Sequence, residues 1–281
     1  MSANITGKTG VIGILGYPVE HSFSPPMHNA AFKDLGLDFV YVPLPTAPED
    51  LGDAVKGFRA MGMTGANVTI PHKTEIGQYL DALDPIAKLT GSVNTLYYKD
   101  GKLRGTSTDP FGALEHIRRR NISLRNKTIA ILGYGGAARA IAFEICLQYP
   151  DQKLIIQGRN LEKGSTLVKE LKKSTTATVE FIQDYLVMSQ EAEIIINCTS
   201  LGMHPNEDTS PCGSEDFKSS QVIYDIVYAP RETLWMKNAK AQGCQVIGGL
   251  GMLVFQGLKS FELWTGQEPK SDLMFKAVDH L

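Results

Sequence analysis

The sequence predicts an α/β protein made of two domains, each built on a largely parallel sheet. Two observations lead to this fold class. Short apolar segments of strand length alternate with helix-like segments along the chain, and this alternation starts afresh near residue 127, after a polar hairpin. We expect a first domain over residues 1–110, a second over residues 111–256, and late helices over residues 257–281 that pack back on the first domain.

The first domain is predicted to begin with three strands that alternate with two helices. Strands are expected at TGVIGILG, FVYVPLP and GANVTI, separated by helices at SPPMHNAAFKDLG and EDLGDAVKGFRAMG. In the third strand, Ala66, Val68 and Ile70 alternate with polar Asn67 and Thr69, so one face is expected on the core and the other is polar. That polar face meets either solvent or a small polar ligand.

A hairpin follows, because the dipeptide at 100–101 is Asp-Gly, a strong signal for a two-residue turn. Counting back from this turn places Asn94 opposite Ser107 and Ser92 near Asp109. The open end of the hairpin therefore gathers polar residues. The next segment, TDPFGALEHIRRRN, predicts a helix with Asp109 as N-cap and Pro110 at its first position.

The second domain repeats strand–helix alternation around a glycine turn. Strands are expected at KTIAIL, KLIIQGRN, VEFIQD, EIIINCTS and QVIYDIVY, and the apolar segment AARAIAFEICLQ predicts a helix buried against a sheet. Helices at LGMLVFQGLKSFELW and KSDLMFKAVDHL close the chain.

The overall composition excludes several classes of function. The formal net charge of −2 argues against a nucleic-acid surface or a polybasic membrane contact. The sequence has no apolar segment of signal-peptide or membrane-spanning length, and its four cysteines are far apart, so we expect a reduced, cytoplasmic protein without a metal site. Monomer and homodimer both remain open.

The glycine turn ILGYGGAARA fits the dinucleotide-binding pattern G-x-G-x-x-G/A at Gly133, Gly135 and Ala138. In that interpretation Gly133 permits the tight turn, Gly135 lets the backbone approach a pyrophosphate, and the helix N-terminus offers amide donors. The alternative is a tight turn between strand and helix that binds nothing. The position between a predicted strand and a predicted helix favours a Rossmann-like dinucleotide domain.

The next strand end favours NADP over NAD. An NAD site usually has an Asp or Glu there, whereas this strand is followed by Arg159, with Lys163 four residues later. A guanidinium at this point suits a ribose 2′-phosphate. The alternative is that both cations are solvated surface charges, and Glu162 between them keeps NAD possible.

Several polar residues of the first half have both a purely structural and a functional interpretation. Ser22 and Ser24 precede Pro25, so Ser24 is either an N-cap or, together with Ser22, part of a carboxylate site at a helix N-terminus. Lys73 alone is most simply a surface lysine, and Asp109 alone an N-cap. Their joint appearance at predicted strand ends favours a site.

These motifs, in this order, resemble the shikimate dehydrogenase family nearly from end to end. The motifs are HSFSP, GANVTIPHK, GSVNTL with STD, GYGGAAR with GRN, and GGLGMLVFQ. The resemblance implies reversible reduction of 3-dehydroshikimate to shikimate with NADPH, a step of aromatic amino-acid biosynthesis. It implies Lys73 and Asp109 as catalytic residues.

The resemblance also assigns the remaining site residues. Substrate-binding residues would be Ser22, Ser24, Asn67, Thr69, Asn94, Tyr228 and Gln256. Cofactor-binding residues would be Gly133, Gly135, Gly136, Ala137, Arg159, Asn160, Lys163, Thr199, Ile226 and Gly249.

The chain departs from the family pattern at five positions. Ser107 and Pro110 stand where the family usually has Asn and Gly, Gly158 where it has Asn, Lys163 where Arg is common, and Gly248 where Asp or Asn is usual. Three other functions stay open. They are oxidation of quinate with NAD or NADP, redox chemistry on a folate, and non-catalytic sensing of a shikimate-like ligand.

Overall fold

A computed structural model describes residues 5–280, so Leu281 of the predicted terminal helix lies outside the described residues. The chain forms two compact units, residues 5–112 with 253–280 (unit 1) and residues 113–252 (unit 2). Helix α4 (Asp109–Arg119) carries the chain from unit 1 into unit 2, and helix α9 (Leu250–Thr265) carries it back. Gln256, expected at the end of the second domain, therefore belongs to unit 1.

Unit 1 contains a six-stranded sheet in the order β2-β1-β3-β5-β6-β4, in which β5 runs against the other five strands. The predicted mostly parallel sheet is confirmed. Its strands are β1 (Gly10–Gly16), β2 (Phe39–Pro45), β3 (Gly65–Val68), β4 (Ala82–Leu83), β5 (Thr95–Lys99) and β6 (Lys102–Thr106). Its other helices are α1 (Ser24–Asp34), α2 (Leu51–Ala60), α3 (Pro85–Thr90), α10 (Ser271–Val278) and two short 3-10 helices, Pro48–Asp50 and Ile76–Tyr79.

The two faces of this sheet are covered by different helices. Leu51, Val55 and Phe58 of α2 join one buried apolar cluster with residues of β1, β3, β5 and β6. On the other face the second half of α9 packs against α1, where the rings of Phe32 and Phe261 lie 4.8 Å apart. Trp264 of α9 packs directly on β3. A Cβ on Gly65 of that strand would lie 2.3 Å from the Trp264 ring.

The hairpin register is the one that the Asp-Gly turn predicts. Thr95 pairs with Thr106, so that the next pair outward is Asn94 and Ser107. Three local predictions are wrong. Strand β3 ends at Val68 rather than Ile70, α4 begins at Asp109 itself, and α1 begins at Ser24 with Phe23 in the N-cap position.

The polar face of β3 is buried rather than wet. Asn67 is 5% exposed, whereas Ile70, assigned to the apolar face, is 60% exposed. Strand β3 lies between β1 and β5 in the middle of the sheet, and helices cover both faces there. The strand ends at Val68, and Pro71 lies in the turn that follows it.

Unit 2 is a six-stranded parallel sheet in the order β12-β11-β10-β7-β8-β9. Counted within the unit, this is the strand order of a Rossmann-like fold, as predicted. Its strands are β7 (Thr128–Leu132), β8 (Lys153–Gln157), β9 (Thr178–Ile182), β10 (Ile194–Asn197), β11 (Val222–Asp225) and β12 (Gln245–Ile247). Its other helices are α5 (Gly136–Gln148), α6 (Leu161–Ser174), α7 (Tyr185–Glu191) and α8 (Leu234–Ala241).

Candidate active site

The candidate catalytic residues of unit 1 lie at one edge of its sheet. The carboxyl ends of β3 and β6 lie at this edge because the two strands run in the same direction. Lys73 follows β3 and Asp109 follows β6. Strand β5 runs the opposite way, so Asn94, which precedes it, lies at the same edge. The topology thus brings together residues that are far apart in sequence.

Lys73 and Asp109 form a close ion pair. Lys73 Nζ donates to Asp109 Oδ2 at 2.6 Å, and the side chains are 18% and 5% exposed. The backbone is also tied here, because Val93 N donates to the carbonyl of Lys73 at 2.8 Å. A partly buried pair of this kind is screened less by salt than a surface pair. It places a lysine side chain, which can give a proton as the ammonium and take one as the amine, beside a fixed carboxylate.

Asn94 fixes the other carboxylate oxygen. Its Nδ2 donates to Asp109 Oδ1 at 2.8 Å and to Thr108 Oγ1 at 2.9 Å, and it lies 3.2 Å from Gln256 Oε1. Its Oδ1 accepts from the backbone N of Thr108 at 2.7 Å. Both oxygens of Asp109 are therefore held, and the predicted residues Asn94 and Gln256 are brought to the pair.

Asn67 lies deeper in the same hydrogen-bond network. Tyr41 Oη donates to Asn67 Oδ1 at 2.8 Å, and Asn67 Nδ2 donates to Ser260 Oγ at 3.0 Å. Thr95 Oγ1 lies 2.8 Å from Ser260 Oγ and donates to Asn94 Oδ1 at 2.9 Å. Sequence reasoning missed Tyr41, Thr95 and Ser260. No local signal marks them, since each sits on an element whose pattern indicates core.

Two further groups line the loops at this edge. Ser22 Oγ accepts from the backbone N of Ser24 at 3.3 Å at the start of α1, and Ser24 is buried. His72, which sequence reasoning also missed, is buried with Nε2 at 2.7 Å from the carbonyl of Thr46. Because a carbonyl only accepts, Nε2 carries the proton. This bond anchors the loop just before Lys73, while Thr69 packs its methyl group toward Gly16.

In unit 2 the glycine turn lies at the point where the strand order reverses. Gly133 follows β7, has φ of +102°, and donates its N–H to the carbonyl of Gln157 at 2.8 Å. Helix α5 starts at Gly136, and its N-cap Gly135 is exposed, with open space where a Cβ would be. An anionic group can therefore approach the N-terminus of α5 without obstruction, which fits a dinucleotide pyrophosphate.

The loop after β8 carries the predicted 2′-phosphate residues. Arg159 and Lys163 are exposed, and neither forms an ion pair within residues 5–280. Asn160 caps α6, with its Oδ1 accepting from the backbone N of Lys163 at 2.9 Å. No acidic side chain stands at the end of β8, where a ribose 2′-hydroxyl would need one. The loop therefore fits a phosphorylated ribose.

A buried carboxylate organises the neighbouring loops of unit 2. Asp225 accepts from Asn197 Nδ2 at 3.0 Å, Val227 N at 3.1 Å and Thr233 Oγ1 at 2.7 Å. Burial raises the pKa of Asp225 to about 6, because these neutral donors offset only part of the desolvation. Thr199 Oγ1 in turn donates to Asn197 Oδ1 at 2.7 Å.

Gly249 and Tyr228 complete the predicted residues of unit 2. A Cβ on Gly249 would lie 2.1 Å from the carbonyl of Ile226, and Gly249 N donates to Val227 O at 3.1 Å. Only glycine allows this close approach. Burial raises the pKa of Tyr228, so its hydroxyl stays protonated at neutral pH. No cluster of metal-ligating side chains and no helix able to cross a membrane occurs within residues 5–280.

Family comparisons match three successive stretches of the chain. The shikimate dehydrogenase substrate binding domain matches residues 14–96, the shikimate / quinate 5-dehydrogenase family matches residues 115–233, and the shikimate 5′-dehydrogenase C-terminal domain matches residues 249–278.

Individual relatives match over almost the whole length. The chain is 45% identical over 279 residues to the shikimate dehydrogenase (NADP(+)) of Methanocaldococcus jannaschii, with 98% of both chains covered. A crystal structure of a shikimate dehydrogenase in complex with NADP+ matches with a TM-score of 0.92 and 42% identity, over 100% of this chain and 98% of that one. Shikimate 5-dehydrogenase from Listeria monocytogenes, in complex with shikimate and NAD, matches with a TM-score of 0.89 and 35% identity over 98% of each chain.

Proposed function

Because this chain belongs to the shikimate dehydrogenase family, we propose that it catalyses the reversible, NADPH-dependent reduction of 3-dehydroshikimate to shikimate. The observation that carries this proposal is the Lys73–Asp109 pair, with its 2.6 Å contact at the sheet edge of unit 1. Reduction of a carbonyl needs a proton at the oxygen, and this pair offers one from a fixed position.

Lys73 is the proposed general acid in reduction and general base in oxidation. Its ammonium gives a proton to the substrate oxygen as the carbonyl becomes a hydroxyl, and the neutral amine takes that proton back in the reverse direction. Asp109 holds the ammonium in place and accepts a hydrogen bond from a neighbouring substrate hydroxyl. Asn94 keeps the carboxylate oriented through its 2.8 Å bond to Oδ1.

The other predicted residues of unit 1 bind the rest of the substrate. Ser22 and Ser24, at the positive end of α1, are proposed to bind the substrate carboxylate, with Tyr228 as a further donor. Asn67, Thr69 and Gln256 are proposed to bind ring hydroxyls. Asn67 and Gln256 are already tied into the protein's own network, so they meet the substrate in a fixed orientation.

Unit 2 is proposed to hold NADP, which supplies the hydride when bound. The backbone of Gly133, Gly135, Gly136 and Ala137 would hold the pyrophosphate at the start of α5. A second set would hold the adenosine phosphate and the nicotinamide: Arg159, Asn160, Lys163, Thr199, Ile226 and Gly249.

A steady-state assay tests this function. Purified protein is given 3-dehydroshikimate with NADPH or NADH in one direction, and shikimate or quinate with NADP+ or NAD+ in the other. We expect oxidation of NADPH by 3-dehydroshikimate, and a higher kcat/KM for shikimate than for quinate. Higher kcat/KM for quinate would assign a quinate dehydrogenase, and binding of shikimate without turnover of either cofactor would assign a sensor.

A cytoplasmic location and a monomeric or dimeric state belong to the same proposal. All four cysteines are free thiols, which fits a reducing compartment. Sedimentation of the purified protein distinguishes monomer from dimer.

A further inference from the structure

The ring of Tyr134 occupies the space next to Gly158. A Cβ built on Gly158 would lie 2.5 Å from Tyr134 Cε1 and 3.0 Å from Cδ1. These distances are well inside van der Waals contact, so the ring position requires a residue without a side chain at 158. Gly158 does not have a positive φ, which leaves the neighbouring ring as the reason for glycine there.

The hydroxyl of Tyr134 ties the glycine turn to the start of α6. Asn160 N donates to Tyr134 Oη at 3.3 Å, and Asn160 in turn caps α6 through the backbone N of Lys163. The residue between the two glycines of the turn therefore contacts the loop that carries the cations.

The same loop is held from its other side by Gln183, which follows β9. Gln183 Nε2 donates to the carbonyl of Arg159 at 2.8 Å, and Gln157 Nε2 donates to the carbonyl of Gln183 at 2.9 Å. The backbone at 159 and 160 is thus fixed by two side chains, whereas the Arg159 and Lys163 side chains remain exposed. Such a loop presents two cations from a fixed backbone, which suits a dianionic phosphate.

We propose that Tyr134 is a positioning residue for the 2′-phosphate of NADP, and that Tyr134 and Gly158 act as one complementary pair. This inference rests on the proposed function, because it concerns how unit 2 selects NADP over NAD. The ring sets the path of residues 158–160, and the hydroxyl holds Asn160, so Arg159 and Lys163 start from the correct backbone positions. A side chain at 158 displaces the ring and the loop together.

Equilibrium binding of 2′,5′-ADP and 5′-AMP tests this inference without turnover. The two probes differ by the 2′-phosphate, and calorimetry gives the Kd of each for the full chain. Tyr134→Phe removes one hydrogen bond, so we expect the Kd for 2′,5′-ADP to rise about threefold to tenfold. The Kd for 5′-AMP should change less than about twofold. Tyr149→Phe, at the other end of α5, is the matched control and should change neither.

Coupling between the two positions is the sharper result. Gly158→Ala should weaken 2′,5′-ADP binding at least about tenfold in the wild-type background, but less than about twofold in the Tyr134→Ala background, where no ring is displaced. Thermal unfolding of each apo variant checks that it folds, and Tyr134→Phe keeps the test informative if Tyr134→Ala does not.

Four outcomes would overturn the inference. One is an equal loss of affinity for both probes, and another is a Gly158→Ala effect that is the same in both backgrounds. A third is unchanged binding in Tyr134→Phe while the wild type still prefers 2′,5′-ADP, which leaves the proposed function standing. A wild type without that preference would instead overturn the assignment of NADP, and this inference with it.

Discussion

Units 1 and 2 each bury a carboxylate near the carboxyl end of a strand, but the two carboxylates have different partners. Asp109 of unit 1 faces the ammonium of Lys73 at 2.6 Å. Asp225 of unit 2 is fully buried and accepts hydrogen bonds from Asn197, Val227 and Thr233, which are all neutral donors. Carboxylates at similar positions in the two sheets therefore differ in their partners: one pairs with an ammonium, and the other holds neighbouring loops through neutral donors.

The difference teaches that the partner, rather than burial, decides what a buried carboxylate can do. Asp109 pairs with an ammonium, the kind of group that the proposed function uses as a general acid. Asp225 has donors that do not titrate near neutral pH, so it orients the loops that carry Thr199 and Ile226. Four substitutions can break or sharpen this comparison.

Asp109→Asn should have the largest effect. The amide keeps the shape but loses the charge that holds Lys73, so we expect kcat for 3-dehydroshikimate reduction to fall by about 10²–10⁴-fold. Steady-state kinetics with NADPH measures it. Asp100→Asn at the exposed hairpin turn is the isosteric control and should leave kcat unchanged. Comparable kcat values for Asp109→Asn and the control would contradict the role of Asp109.

Asp225→Asn should change the pH dependence of stability rather than turnover. The folded pKa of Asp225 is about 6, above the value of about 3.9 for an unfolded chain, so its ionisation destabilises the folded state. Its contribution to the free energy of unfolding is retained below about pH 4 and lost as the pH rises through about 6. The Asn variant should therefore gain about 3 kcal/mol relative to the wild type between pH 4 and pH 7.

Denaturant unfolding of both proteins across this pH range measures that gain. Asp151→Asn, an exposed carboxylate, is the control and should follow the wild type at every pH. A difference in the free energy of unfolding between wild type and Asp225→Asn that stays constant with pH would contradict this prediction. It would show that the pKa of Asp225 is the same in the folded and unfolded states.

Arg159→Ala tests whether unit 2 recognises its ligand through exposed charge. Losing a charge-assisted contact to a 2′-phosphate should raise the KM for NADPH about tenfold and leave the KM for NADH nearly unchanged. The effect should shrink at high salt, since the side chain is exposed. Lys169→Ala, on the same loop–helix unit, provides the charge-matched control. Equal changes in the KM values for NADPH and NADH would show that Arg159 does not recognise the 2′-phosphate.

Tyr41→Phe should give the smallest effect, in the buried network of unit 1. It leaves Asn67 Oδ1 without its 2.8 Å donor, so we expect the KM for shikimate to rise about fivefold with little change in kcat. Unlike the Arg159 effect, this one should not depend on salt, because the bond is buried. Tyr98→Phe, on a partly exposed ring, is the control. A fall in kcat without a change in KM would contradict a binding role for Asn67 and indicate that it acts in the catalytic step.

The sequence predicted the parts of this protein that depend on local patterns. Strand–helix alternation predicted the other strands of both sheets but missed the edge strands β4 and β12. The Asp-Gly turn was enough for the register that brings Asn94 to Ser107. The parallel direction of β3 and β6 then explains why Lys73 and Asp109 meet, although 36 residues separate them.

The parts that were missed depend on contacts between distant segments. Alternation in β3 identified a polar face at Asn67, but only the sheet order shows that this face is buried. Ser260 bonds Asn67 from 193 residues away, and nothing in an apolar helix marks that serine. Gly158 was noted as a departure, but its reason is the ring of Tyr134, which only the folded structure brings to it.

The most direct measurement is the steady-state kinetics of Lys73→Ala in the reduction of 3-dehydroshikimate by NADPH, beside the exposed control Lys99→Ala. If Lys73 transfers the proton, kcat falls by about 10²–10⁴-fold while the KM for 3-dehydroshikimate stays within a few-fold of the wild-type value. Normal turnover with a large rise in KM would contradict the account, because Lys73 would then bind the substrate without taking part in the reaction.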